Sequence, residues 1–331
     1  MAARQMAAPR DRSAPPPAVI FAAAGLAVAS AVELLILRTF TRTAIHIPGI
    51  TALREPYEAL SLGGRYAYFV SVALLLIAVP VVAWVLWRRR DPVHRGMAIA
   101  LGSFGLLSGL AALGAADRFA LDAATSGAVA VIAIGGAVLS RGRWPSLPIV
   151  LFALAFLLSA SHTLAQTMAQ EGLATFGTGG ALNAAELAGV AFACSVPLLA
   201  RGTVDRTATL VGVAVSAVTF AAFLGNGGAT ARFLLLWNEG LSGAMPSIAY
   251  AVAAGCLATA FVALLRARNG LAAAGLVLLV TGGIGLHSTY QSSLALTGMS
   301  LLALALAGPA GHAAIAQSTN AGPARRAAVT P

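Results

Sequence analysis

Four ionisable side chains lie in or at the ends of long apolar runs: Glu33, His162, Glu186 and His287. A charge in bilayer hydrocarbon is expensive, so such groups face protein or water rather than lipid. Carboxyl and imidazole groups are also those that exchange protons, ligate metals and hold polar solutes. The stretch LLSASHTLAQTMAQ shows how their spacing can add information. Within it Ser159, His162, Gln166 and Gln170 recur at intervals of three and four, so on a helix they form one stripe. Asn183, Glu186 and Cys194 share a face in the same way, while Asn226, Tyr290 and Gln291 fall in or near the same layer. These residues give a candidate ligand-binding set of Glu33, His162, Gln166, Asn183, Glu186, Asn226, His287 and Tyr290.

Three chemistries fit the set. In a small-solute transporter or permease, the polar side chains would bind the solute and Glu33 or Glu186 would carry a coupling proton. In a haem or metal protein, His162 and His287 would be axial ligands, or would join Glu33 and Glu186 around a divalent metal. In a structural subunit of a membrane complex, the same layer would serve as hydrogen-bonding glue between helices. Local explanations exist for each residue. Glu33 is one turn before Arg38, Glu186 is near a helix N-terminus that favours an anion, and His287 falls at the membrane interface.

Composition narrows the field. All 21 basic residues are arginine, which excludes a lysine Schiff base and with it retinal and pyridoxal chemistry. The chain has no HExxH, G-x-S-x-G, P-loop, CxxC or CxxCH motif. Its net charge of +10 does not point to nucleic acid, because the arginines are scattered between apolar runs rather than clustered on one polar face. The two cysteines, Cys194 and Cys256, lie inside apolar runs and read as small buried hydrophobes.

The elements that must position these residues are membrane spans. The chain is 59% hydrophobic and 10% charged, against roughly 25% charged in soluble domains, and its mean hydropathy is +0.85. Its main solvent is therefore lipid. Runs of about 20 apolar residues predict an all-α polytopic bundle, because barrel strands would be half as long and would alternate. Helices are expected over 18–38, 67–87, 96–116, 119–140, 146–170, 181–200, 207–227, 244–266, 271–287 and 292–308. This makes ten spans, or nine if the last two form one bent helix and a re-entrant piece. Residues 1–17 and 309–331 read as disordered tails around the membrane domain of 18–308. An AVA sequence at 27–29 resembles a signal-peptidase site, but the apolar run continues to Leu37 and reads as an uncleaved anchor.

Fifteen arginines fall on one side of this arrangement and six on the other. The positive-inside rule puts the fifteen, and both termini, in the cytoplasm of a bacterial cell whose inner membrane holds the protein. Trp84, Trp87 and Trp144 then mark the inner interface. Glu33, His162, Glu186 and His287 all fall in the outer half, roughly 6–12 Å from the midplane at a rise of about 1.5 Å per residue. Two longer outer loops flank that layer. In the first, LREPYEAL is expected to form a short separate amphipathic helix; in the second, ARFLLLWNEGL is expected to lie in the interface. Gly102, Gly105 and Gly109, and Gly282, Gly283 and Gly285, are expected to bring helices close together. Pro80 and Pro197 are expected to kink theirs. The bilayer is the expected partner, with a small-molecule solute as ligand and no nucleic acid.

Overall fold

The structure is a computed structural model describing residues 17–34, 54–89, 91–114, 118–139, 146–170, 179–225, 244–283 and 289–307. Among these residues every regular element is helical. The ten α-helices are α1 (Pro17–Glu33), α2 (Arg54–Arg88), α3 (Pro92–Ala112), α4 (Arg118–Leu139), α5 (Ser146–Gln170), α6 (Gly179–Ser195), α7 (Arg206–Gly225), α8 (Ala244–Arg266), α9 (Gly270–Gly282) and α10 (Thr289–Ala307). A 3₁₀ turn, Val196–Ala200, continues α6. Five of the helices are long and apolar enough to cross a membrane, and α1, α7 and α9 are shorter apolar helices.

Successive helices run antiparallel and pair as α1–α2, α3–α4, α5–α6, α7–α8 and α9–α10. Facing residues give the register: Gly25 meets Leu74, Met97 meets Gly135, Phe152 meets Phe192, and Gly275 meets Gly298. The last pair is the centre of the molecule. Nearly all of α9 is buried, and in α10 every residue from Ser292 to Ala305 is buried. A helix without a polar face either lies in a core or faces lipid; α9 and α10 are enclosed by their neighbours. α10 packs on α2, α3 and α4, while α9 packs on α1 and α8. Two of the hydroxyls that α10 carries inward are satisfied along the helix itself. Thr297 Oγ1 donates to Ser293 O at 2.7 Å, and Ser300 Oγ donates to Leu296 O at 2.9 Å.

The outer surface is apolar as well. Phe21 is 77% exposed and Leu76 72%, and large hydrophobic residues are exposed on helices all round the bundle. An apolar exterior over an apolar core suits a protein surrounded by lipid. This is the surface of an integral membrane protein.

Glycine decides two of the helix pairs. A Cβ at Gly298 would lie 2.7 Å from Gly275 O and 2.9 Å from Leu279 N, so the α9–α10 backbones touch there. In α7–α8, a Cβ at Gly212 would meet Gly255 O at 2.7 Å, and Ser216 Oγ donates across the contact to Ala251 O at 2.9 Å. α9 ends at Gly283, whose φ of 81° is a left-handed conformation suited to glycine and whose N–H donates to Leu279 O.

One end of the bundle holds the short turns after α2, α6 and α8. Arg88 lies over Trp84 at 4.0 Å, and Arg95 over Trp87 at 5.7 Å. Both tryptophans are exposed, as an interfacial ring would be. Asp91 caps α3 by accepting from Val93 N, Asp205 caps α7 by accepting from Ala208 N, and Arg266 reaches Asp205 at 2.9 Å.

Several expectations need correction. LREPYEAL is no separate element: from Arg54 it belongs to α2, which runs unbroken for 35 residues, about 52 Å at the helical rise and well beyond a ~30 Å hydrocarbon core. Pro80 lies inside that continuous helix, whereas Pro197 coincides with the switch from α6 to 3₁₀. α9 stops at Gly282, five residues short of His287. Gly102 and Gly109 have nothing within 4 Å of a Cβ and mediate no close approach; only Gly105 of that trio touches a neighbour, Val79 at 3.3 Å. The cysteines are not buried hydrophobes, since Cys194 is exposed and Cys256 half-buried. Trp144, Gly285, ARFLLLWNEGL and the tail residues 1–16 and 309–331 lie outside the described residues, while Pro17, expected in the tail, opens α1.

Candidate functional site

Glu33 is the last residue of α1 and is 4% exposed. Three helices converge around it. Ser30, one turn earlier on α1, is fully buried, and Tyr68 and Ser71 share one face of α2. Tyr290, in the first turn of α10, turns its ring edge toward Tyr68, with centroids 5.0 Å apart and planes at 61°. Ser30, Ser71 and Glu33 all act on the Tyr290 phenol. Ser71 Oγ donates to Ala67 O at 2.8 Å. Neither Ser30 Oγ nor Tyr290 Oη closes a well-formed hydrogen bond among the described residues, although both are buried.

That arrangement has a chemical meaning. An unsatisfied buried hydroxyl costs about 1–3 kcal/mol, which a bound polar molecule would recover. Two hydroxyls beside a carboxylate offer donors and an acceptor at one point, enough to orient a small polar solute or pass a proton.

A second polar group lies on α5 and α6, which pack together. Glu186 is 2% exposed and Ser159 also 2%, while His162 is half-buried. Along the α5 stripe, burial decreases toward the helix end and Gln166 is exposed, as is Asn183 on α6. α1 and α6 are not packing partners; α9 and α8 lie between them. Glu33 and Tyr290 therefore belong to one group and Glu186 and His162 to another, and Gln166 and Asn183 stand outside the buried part of either. Asn226 and His287 lie outside the described residues. Among the described residues no group of three or more His, Cys, Asp or Glu stands close enough to hold a metal.

Both groups are at the same end of the bundle, opposite the arginine-rich turns. Most buried polar side chains accompany them, including Thr125, Thr219, Thr281, Ser292 and Ser293. The half nearer the arginines is filled by apolar side chains such as Ile132, Ile149, Phe152 and Phe192. Beside α1, a cleft of about 400 Å³ opens between α1, α7, α8 and α9. Leu34, Val215, Leu257, Phe261 and Val280 line it, and among the described residues Thr219 and Thr281 are its only hydroxyl-bearing ones.

Sequence reasoning missed Ser30, Tyr68 and Ser71, because a hydroxyl in a helix can bond to its own backbone and gives no signal. It also passed over Asp122, half-buried one turn into α4 at the same end, which its charge in an apolar run could have revealed. No protein-family model, curated protein or solved structure matches the chain.

Proposed function

We propose that the protein is a membrane transporter for a small polar solute, with the Glu33 group as its outward-facing binding site. The observation that carries this reading is a buried carboxylate beside two buried hydroxyls, contributed by helices that meet at one end of an apolar bundle. The arginine-rich turns at the opposite end are the basis for orientation. With them in the cytoplasm, the ten helices become ten spans, both termini lie inside, and the site faces outward across a bacterial inner membrane. The apolar inner half is then the closed side of an alternating-access cycle, and inward release requires α9–α10 to shift against its neighbours. Glu186, buried on α6, and His162, half-buried on α5, lie near the same surface.

Purified protein in liposomes loaded with a pH-sensitive dye tests the reading. Amino acids, amines, carboxylic acids and sugars are added one at a time outside, and solute-driven proton movement is recorded. At least one class should move protons with the wild-type protein. Glu33→Gln should reduce that movement at least about tenfold, the order expected for losing a hydrogen bond to a charged group. Equal transport by Glu33→Gln, or no response to any class by folded wild-type protein, would refute the assignment.

A further inference from the structure

Cys194 and Cys256 lie on α6 and α8, two helices that pack against each other. Their side chains interact with each other across that contact. Neither is in a disulfide, and Cys194 is exposed on the apolar exterior. An isolated cysteine in an apolar run is ordinarily a small hydrophobe. Two that interact from different helices are a dithiol.

We infer that Cys194 and Cys256 form a reversible dithiol–disulfide couple that joins α6 to α8 and exchanges electrons with a lipid-soluble quinone. Its surroundings favour this chemistry over metal binding. Two thiolates around a monovalent soft metal would leave a net negative charge in hydrocarbon, which is expensive. A disulfide is neutral in both redox states. The oxidant must take protons together with electrons, because forming a free thiolate in the bilayer carries the same charge penalty. A quinone does so: the two S–H bonds break, one S–S bond forms, and two electrons and two protons convert the quinone to its quinol. Cys194, open to the surrounding lipid, is the point of access.

The test uses the whole protein in phosphatidylcholine liposomes. It is reduced, freed of reductant, and exposed either to a short-chain benzoquinone in the bilayer or to ferricyanide in the water. Cysteines are then counted by denaturing and reacting with a polyethylene-glycol maleimide, and the intact mass is measured. The quinone should abolish both maleimide adducts, remove two hydrogen atoms from the monomer mass and yield quinol, while ferricyanide should do so far more slowly. Dithiothreitol should restore both adducts. Cys194→Ser and Cys256→Ser should each keep one reactive thiol after quinone treatment. The wild-type measurement stands even if a variant does not fold. Persistence of both adducts, a disulfide-linked dimer, covalent addition of the quinone, or stoichiometric copper held by the reduced protein would each overturn the inference.

Discussion

At the scale of single residues, an ionisable group in an apolar run was the readable signal. Glu33, His162 and Glu186 stand out because charge in hydrocarbon requires a reason, and the two carboxylates are almost fully buried. Their surroundings were not readable, since the hydroxyls of Ser30 and Ser71 cost a helix little and the α6–α8 contact that joins the cysteines is tertiary. His94 shows the same limit. It sits in the polar segment WRRRDPVHR between two apolar runs, yet it is 5% exposed in the first turn of α3, ahead of the apolar segment, with Nδ1 3.2 Å from Asp91 Oδ2. Burial lowers its pKa from 6.5, and Arg89 adds to this, while the Asp91 hydrogen bond and charge work in the other direction. The unfolded chain therefore takes up a proton at higher pH than the folded protein does. Between those two points the unfolded state binds more protons, so stability is complete above pH 6.5 and falls as pH drops through that value. Melting temperature in detergent should decline from pH 7.5 toward pH 5.5, and His94→Asn should decline less. Equal slopes for the two proteins would remove His94 as the cause.

At the scale of elements, all ten helices were legible, because a run of about 20 apolar residues has few alternatives in a membrane. The errors fell at helix ends, where interfacial sequence is compatible with either helix or loop. α2 absorbs LREPYEAL, and α9 stops at Gly282 because Gly283 takes a left-handed conformation. Glycine spacing was a poor guide to contact, since Gly102 faces outward while Gly298 meets backbone. These two positions separate propensity from packing. Gly298→Leu must push α9 and α10 apart, at a cost of about 1–3 kcal/mol or more for overpacking a core. Gly102→Leu should change stability by no more than about 0.5 kcal/mol. Thermal unfolding in detergent compares them, and equal melting temperatures would show that the α9–α10 contact does not limit stability.

At the scale of the whole molecule, packing partners were the illegible part. Ten helices divide arithmetically into five and five, but the contacts do not repeat between such halves: α1 packs on α2, while α6 packs on α5 and α8 rather than on α7. Nothing in the sequence marked the last two helices as the enclosed centre except their lack of a polar face, a property of composition that many lipid-facing spans share. The concentration of buried polar side chains at one end was legible, because helix direction alternates and position along each run gives height. Its link to the outside of a cell is the central claim and is open to direct measurement. In a Cys194→Ser, Cys256→Ser background, Glu33→Cys is labelled with a membrane-impermeant thiosulfonate in right-side-out and in inverted vesicles. Labelling in right-side-out vesicles alone is the expected result; labelling only in inverted vesicles, or in neither, would contradict an outward-facing site at Glu33.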